Sequence, residues 1–154
     1  MSSQDKTEFF EIDDRTALIC ADPMTTEAVK ATLQELGFKS QTAETQELAV
    51  ERIRYTNYDC IILLENFAGS ALRSNAALNY LARLPMVQRR YSFVCLIGTS
   101  FKTLDAMQAF AESVHLVLNP SDLPNFGPIL KRGLGEFESL YRAYKATLAT
   151  MGER

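Results

Sequence analysis

Polar residues follow four apolar, strand-like stretches of this 154-residue chain: Asp22, Glu65, Thr99 and Asn119. If the stretches form one parallel sheet, their carboxyl ends meet at one edge, where open α/β sheets bind ligands. Carboxylates at that edge could hold a hard cation, and the set could contact a phosphoryl group. The set contains no lysine or arginine to neutralise developing phosphoryl charge. It is therefore incomplete for phosphoryl transfer.

Strand-like and helical patterns alternate along the chain. Short apolar runs are typical of strands buried on both faces, and apolar residues three and four positions apart are typical of core-facing helices. The predicted strands are Thr16–Ala21, Phe38–Thr42, Cys60–Leu64, Phe93–Ile97 and Val114–Leu118. The predicted helices are Thr25–Leu36, Thr45–Tyr55, one capped by Ser74 and closed by Pro85, Thr103–Glu112, and a long one from about residue 126 to 150. This alternation predicts a doubly wound α/β fold, a five-stranded parallel sheet with helices on both faces.

The composition favours one compact domain, since 47% of the residues are hydrophobic. We expect it to span residues 15–154, after a polar, flexible N-terminal segment over residues 1–14 that lacks the pattern of a secretory signal. A net charge of -3 and scattered basic residues argue against a nucleic-acid partner. No apolar stretch approaches the roughly 20 residues of a membrane-spanning helix. A soluble, cytoplasmic protein without a membrane partner is expected.

The cysteines and the histidine are predicted to be structural. Cys20, Cys60 and Cys95 lie inside apolar runs, so we expect buried, reduced thiols. A redox sensor is the alternative, and it would need an exposed thiol of lowered pKa. Zinc binding is disfavoured because the cysteines are far apart in sequence and His115 is the sole histidine. His115 begins the last predicted strand, away from the carboxyl edge, which favours a structural role over a catalytic one.

Four stretches carry a resemblance to a known family. They are Ala17–Asp22, an apolar run ending in an acid; Asp59–Glu65; Leu96–Ser100; and Leu116–Leu123, a strand followed by Asn-Pro and an acidic-apolar pair. In order and spacing they resemble the response-regulator receiver domain, over about residues 15 to 138. The resemblance implies a receiver or flavodoxin-like sheet with strand order 2-1-3-4-5 and a place in bacterial signalling.

The resemblance also locates departures from the family's phosphorylation site. Ala21 stands where one of two magnesium-binding acids is expected, which leaves Asp22 as a weak metal candidate. Leu64 falls at the phosphoacceptor aspartate, and Glu65 is one residue further on. Because strand side chains alternate in direction, Glu65 should point to the opposite face of the sheet from position 64 unless a bulge intervenes.

The remaining positions of that site depart as well. Gly98 falls nearest the switch hydroxyl, and Thr99 could replace it only with a one-residue shift. Asn119 takes the place of the lysine before Pro120. Phosphorylation of an aspartate needs an in-line carboxylate, a cation with several oxygen ligands and a positioned positive charge. This chain offers one matched acid.

These departures favour a non-catalytic, phosphorylation-independent pseudo-receiver that acts as a protein interaction or dimerisation module and needs no cofactor. One alternative is an atypical switch, in which Glu65 or another acid, with magnesium at Asp22, accepts or mimics a phosphoryl group. Another is a small-ligand sensor that uses the degenerate pocket. In a third interpretation, Asp22 and Glu65 are ordinary solvated residues at strand ends.

The long last helix is the predicted interaction surface. Its apolar positions recur in alternating steps of four and three, a pattern that suits helix pairing. The helix is longer than a small sheet can cover, so the second half, with Phe137 at its start, should pack on something else. The interface candidates are Phe137, Leu140, Tyr141, Tyr144 and Leu148. A homodimer through paired helices is preferred, with fraying or a different partner chain as alternatives.

Two glycines interrupt the long helix. Gly133 and Gly135 each weaken a helix interior by roughly 1 kcal/mol relative to alanine. They indicate either close approach of another helix or a kink. The sequence leaves both open.

Overall fold

The computed structural model describes residues 14–89 and 91–151, and the side chains of all of these except residues 144 and 145. The predicted flexible segment 1–14 thus lies outside the described residues, apart from Asp14. The interface prediction for the side chain of Tyr144 lies outside them as well. Among the described residues, no helix is long and apolar enough to cross a lipid bilayer.

Five parallel strands form one sheet in the order β2-β1-β3-β4-β5, which confirms the predicted topology. They are β1 Arg15–Cys20, β2 Phe38–Thr42, β3 Cys60–Leu64, β4 Phe93–Ile97 and β5 Leu116–Leu118. Ile19 pairs with Ile62, Ile62 with Cys95, and Cys95 with Leu116. Every residue of β3, β4 and β5 is buried, as expected of strands covered on both faces.

In the part of the chain that the structure describes, six α-helices flank the sheet or connect its strands. They are α1 Pro23–Glu35, α2 Gln46–Tyr55, α3 Ala76–Arg83, α4 Met86–Arg89, α5 Ala106–Glu112 and α6 Phe126–Thr150. Three 3-10 helices in the same part lie in connections, at Phe67–Gly69, Leu72–Ser74 and Pro120–Asn125. The short α4 was not predicted.

Several predicted boundaries were wrong, and the capping residues explain most of the shifts. The first helix begins at Pro23 because the Asp22 carboxylate accepts the Thr25 N–H, and proline suits a first helical position. The helix predicted over Thr103–Glu112 begins at Ala106, since Asp105 caps it by accepting the Gln108 N–H. The fifth strand begins at Leu116 instead of Val114, whose N–H closes α5 on the Ala109 carbonyl.

The sequence predicted that Ser74 caps the third helix, and this prediction was wrong. Its hydroxyl accepts the Ala71 N–H at 3.0 Å within its own 3-10 turn. Asn75 caps α3 instead, with its side-chain oxygen on the Leu78 N–H at 3.2 Å. Ser and Asn are both good capping residues, so propensity alone could not choose between neighbours.

The three cysteines are free and buried, as predicted. Burial raises the pKa of Cys20 and of Cys95 to about 12 and raises the pKa of Cys60 well above its ordinary value. The thiols are therefore protonated near neutral pH, whereas the reactive form is the thiolate. This environment disfavours the redox-sensor alternative.

The first half of α6 covers the sheet, and the second half projects beyond it. Phe126, Leu130 and Leu134 are buried in the core. The Arg15 guanidinium binds the Glu138 carboxylate at 2.8 Å, so Glu138 lies level with the first residue of β1. Residues 139–150 continue past that level for about 18 Å, at ~1.5 Å per residue. We call residues 139–150 the overhang.

Gly133 marks a close approach to the sheet, not to another helix. A Cβ at this position would lie 2.9 Å from Cζ of the buried Phe93 ring. A Cβ at Gly135 would meet nothing within 4 Å. The sequence left open close approach to another helix or a kink, and at Gly133 the close neighbour is instead Phe93 of the sheet.

His115 joins β5 to β4 and α6. The Val94 N–H donates to its Nδ1 at 3.0 Å, and its ring packs on Phe93 and on Phe137, with centroids 5.4 and 4.9 Å away. Although part of the residue is open to solvent, burial of the ring, with the Arg89 charge adding to it, lowers the pKa of His115 to about 4. Protonation of Nδ1 would also break the hydrogen bond from the Val94 N–H, so this bond favours the neutral ring as well. His115 is thus a structural residue.

The glycine pair yields a first prediction. Gly135→Ala should stabilise the protein by about 1 kcal/mol through helix propensity. Gly133→Ala should lose about 1–3 kcal/mol, because the new methyl group overpacks against Phe93. Urea unfolding of the two variants measures both values. Equal effects would mean that Phe93 moves aside freely and that the close approach is not a packing constraint.

The histidine yields a second prediction. Its folded-state pKa is below the ordinary value of 6.5, so the unfolded chain binds the extra proton first. The contribution of His115 to stability should be complete above pH 6.5 and should be lost as pH falls towards 4. His115→Gln should flatten the pH dependence of the unfolding free energy between those values, with wild type as reference. An unchanged slope would contradict it.

Candidate functional site

The carboxyl ends of the strands bring the predicted site residues to one edge of the sheet. Asp22 follows β1, Glu65 follows β3, Thr99 lies two residues past β4, and Asn119 follows β5. Their side chains do not converge on one point, however, and they separate into three local arrangements.

A cavity of about 750 Å³ opens between the ends of β1, β2 and β3. Ala21 and Leu64 contribute apolar surface to it, and Leu64 is only 9% exposed. Charged residues also line it, namely Asp22, Glu27, Lys30 and Glu44. The resemblance assigns position 21 to a magnesium ligand and position 64 to the phosphoacceptor. Both residues line the cavity, but Ala21 and Leu64 present only apolar side chains to it.

Asp22 lies in this cavity, but its carboxylate already caps α1. Oδ1 accepts the Thr25 N–H at 2.7 Å, which satisfies one of the open donors at the helix start. A second use of Asp22 would have to leave that bond intact or break it. Among the described residues, no group of three or more His, Cys, Asp or Glu side chains is placed to hold a metal ion.

Glu65 is directed away from the cavity and over the β4–α5 connection. It is not among the residues lining the cavity, although its neighbour Leu64 is, as the alternation of strand side chains requires. Its carboxylate accepts the Ser100 hydroxyl and, at 3.3 Å, the Ser100 N–H. A Cβ on Gly98 would overlap the Glu65 side chain. A hydroxyl residue at 98 is therefore incompatible with this placement of Glu65.

Asn119 fastens the end of β5 to the same connection. Its Nδ2 donates to the Phe101 carbonyl at 2.8 Å, and its Oδ1 accepts the Ser121 N–H at 3.0 Å. Pro120 begins the 3-10 helix that this second bond caps. A neutral amide used in this way positions a loop and supplies no positive charge to the cavity. Thr99 is exposed on the connection that Asn119 and Glu65 hold.

A polar network behind the cavity was missed by sequence reasoning. Asn75 is fully buried, and its Nδ2 donates to the carbonyls of Leu64 and Glu65, each at 3.0 Å. Gln46 Nε2 donates to Asn75 Oδ1 at 3.2 Å and to the Phe67 carbonyl at 3.1 Å. The network fixes the end of β3 and the connection after it. Asn before an apolar helix is a recognisable cap signal, but its pairing with Gln46 has no sequence signature.

The two acids that follow the strand ends are both used locally. Asp22, one of the acids that line the cavity, caps α1, and Glu65, after β3, binds a loop. Lys30 lies on α1, not at the end of β5. Within residues 14–89 and 91–151, a carboxylate nucleophile, a multidentate cation site and a cation opposite the nucleophile are not assembled in one place.

Solved structures of response regulators and receiver domains are similar in fold to this chain. A response regulator from Thermotoga maritima is 16% identical, with 79% of this chain and 98% of that chain covered and a TM-score of 0.56. A CheY-like receiver domain protein from Methanospirillum hungatei is 12% identical, with 82% and 98% covered and a TM-score of 0.62.

A third structure is the receiver domain of a sensor histidine kinase from Pseudomonas aeruginosa, solved with a magnesium ion coordinated in its active-site cleft. It is 18% identical, with 79% and 98% covered and a TM-score of 0.57. No protein-family model matches the chain, and no curated protein matches its sequence. With five parallel strands in the order 2-1-3-4-5 and these structural relatives, the chain has the fold of the response-regulator receiver domains.

Proposed function

We propose that this chain is a non-catalytic pseudo-receiver of bacterial signalling that works without phosphorylation. Its output is protein interaction, in the first instance a homodimer formed through α6. The observation that carries the proposal is the pair Ala21 and Leu64 in the strand-end cavity. At these positions the resemblance expects a magnesium-binding acid and the phosphoacceptor, and neither side chain can bind a cation or a phosphoryl group.

The neighbouring polar residues do not replace what is missing. Glu65 would have to break its bonds to Ser100 and turn to the other side of β3 before it could reach the cavity. Asn119 would have to release both the Phe101 carbonyl and the Ser121 N–H, and it would still be neutral. Each change leaves polar groups without partners, which costs about 1–3 kcal/mol where they are buried.

The exposed apolar surface around α6 supports an interaction role. Leu140 is 73% exposed although it lies one turn beyond the core, and Phe110 on α5 is 81% exposed. Tyr141 packs edge-on against Tyr91, 5.2 Å between centroids, which holds the start of the overhang in place. A large apolar surface of this kind on a small domain marks an interaction site.

The atypical switch is a second candidate function because the chain has a strand-end cavity. This cavity is large enough for a small ligand, and Asp22 is one of its lining residues. The Pseudomonas aeruginosa receiver domain holds magnesium in its cleft. If the present chain did the same, Asp22 would be the ligand, with a phosphoryl mimic beside it.

Thermal unfolding with magnesium and beryllofluoride distinguishes the two candidates. We expect no change in Tm, because Ala21 and Leu64 leave the mimic without ligands. A site saturated at a hundredfold excess over Kd would add about 2.7 kcal/mol, or about 5–10 °C for a chain of this size. Such a rise in the wild type would refute the proposal.

The variant Ala21→Asp, Leu64→Asp is the matched control for that experiment. It adds two carboxylates to the cavity beside Asp22 and should gain a magnesium-dependent rise in Tm that the wild type lacks. The comparison shows that the assay detects a site of this geometry. It also tests whether the missing carboxylates are what keeps the cation out.

A charged side chain introduced at the proposed helix interface tests the homodimer. Leu140→Glu should raise the dimer dissociation constant by roughly tenfold or more, about 1.4 kcal/mol, because pairing of the helices would bury the carboxylate. Met24→Glu is the control, since Met24 is 83% exposed on α1 at the other end of β1. Sedimentation velocity measures both. A wild type that stays monomeric at ~100 μM, or equal effects of the two changes, would contradict the homodimer.

A further inference from the structure

An apolar groove of about 880 Å³ lies between α4, α5 and α6, beside the start of the overhang. It is separate from the strand-end cavity, since the two are lined by different residues. Met86, Phe110 and Leu140 line the groove and are exposed, and Phe137 is partly buried. Three helices thus contribute apolar side chains to one concave surface whose volume is typical of a small-molecule site.

A positive charge lies in one wall of this groove. The Arg89 guanidinium has five N–H donors, and among the described residues its hydrogen-bond partner is the Ser113 carbonyl, at 3.3 Å. Arg89 is partly buried and forms no ion pair with another described residue. Its charge and most of its donors are therefore available to an anion in the groove.

His115 adds a second donor beside this charge. Burial lowers the pKa of His115, and the charge of Arg89 adds to that effect, so the two side chains are neighbours in the groove wall. Nδ1 of His115 accepts the Val94 N–H at 3.0 Å, so the neutral ring carries its hydrogen on Nε2. Within residues 14–89 and 91–151, Nε2 has no hydrogen-bond partner. An acceptor that reaches Arg89 can therefore take the Nε2–H as well.

The charges around the groove favour an anionic ligand. Among the described residues that line it, Arg89 is the charged one, and none is an acid. A cationic ligand would be repelled by Arg89, whereas a carboxylate can accept two N–H groups from the guanidinium. The strand-end cavity differs, because Asp22, Glu27 and Glu44 line it together with Lys30.

The apolar lining favours an alkyl chain over an extended peptide. A peptide would bring N–H and C=O groups into the groove, and each costs free energy where it finds no partner. An alkyl chain has no such groups. Along α6 the lining extends from Phe137 to Thr147, about 15 Å at ~1.5 Å per residue. This length suits an alkyl chain of medium length.

We propose that the groove between α4, α5 and α6 binds an amphiphilic carboxylate, namely a free fatty acid of medium chain length. The carboxylate binds the Arg89 guanidinium and the Nε2–H of His115. The alkyl chain packs on Phe110, Phe137 and Leu140. Leu140 also belongs to the proposed dimer interface, so the ligand and a second copy compete, a consequence that rests on the proposed function.

Equilibrium dialysis of the full chain against radiolabelled decanoate tests the site. We expect saturable binding, with unlabelled decanoate as an effective competitor. Decanol, which has no charge, and hexanoate, whose chain is shorter, should each compete at least tenfold more weakly. Absence of decanoate binding below the millimolar range, or equal competition by decanol, would overturn the proposal.

Two variants locate the ligand, each with a matched control. Arg89→Met should weaken decanoate binding by tenfold or more, whereas Arg83→Met, at an exposed position of α3 outside the groove, should not. Phe110→Ser should weaken binding by about tenfold through lost apolar contact. Met107→Ser is its control, since Met107 is exposed on the same helix but does not line the groove. Equal effects within either pair would show that decanoate binds elsewhere.

A lipid surface is the other source of anionic, apolar ligands. Co-sedimentation with phosphatidylglycerol vesicles distinguishes it from a free fatty acid. Vesicle binding that Phe110→Ser abolishes, in a protein that does not bind decanoate, would assign the groove to a lipid surface and overturn the proposal.

Sedimentation velocity with saturating decanoate separates this inference from the proposed function. If the chain dimerises through α6, decanoate should raise the dimer dissociation constant by tenfold or more, and a dimer unaffected by bound decanoate would refute the competition. If the chain is monomeric without ligand, the homodimer fails. The dialysis of wild type and Arg89→Met then still decides whether the groove binds a carboxylate.

Discussion

Burial of the central strands on both faces is the constraint on which the rest of the structure depends. The side chains of β3 and β4 are buried on both faces of the sheet, so polar chemistry can occur only where the strands end. The packing of the Ile, Leu, Val and Cys side chains in the core does not depend on which residues follow the strands. The strand ends can therefore carry apolar residues, such as Ala21 and Leu64, while the fold is kept.

The residues at that edge are compatible with one another. Glu65 places its carboxylate in the space that a side chain at position 98 would need, and residue 98 is glycine. The carboxylate is then satisfied by Ser100, and Asn119 fixes the same connection from β5 through the Phe101 carbonyl. Buried or half-buried polar groups need such partners. The result is a connection between β4 and α5 held from two sides.

Sequence patterns predicted the elements wherever one physical signal dominated. Cys60–Leu64 and Phe93–Ile97 are found with the predicted bounds, because an apolar run ended by turn residues has few alternatives. Phe38–Thr42 also has its predicted bounds, although its sequence is mostly polar and determined the strand poorly. Sequence patterns did not predict the start of a helix where the capping residue sets it, as Asn75 and Asp105 do. They also missed α4, a short helix within a connection. The positions of the site could be predicted from strand ends, but the bonds of Asn119 and Asn75 could not, since they depend on loops distant in sequence.

The two ends of the domain are best understood together. A phosphorylation switch needs an element with two arrangements that both sites bias. In this chain the polar groups after β3 and β5 that could alternate, Glu65 and Asn119, already bind Ser100, Phe101 and Ser121. At the other end, α6 extends past the sheet and is anchored by Arg15 and Tyr91. A held site together with an anchored, exposed helix supports the proposal of a constant binding surface over that of a switch.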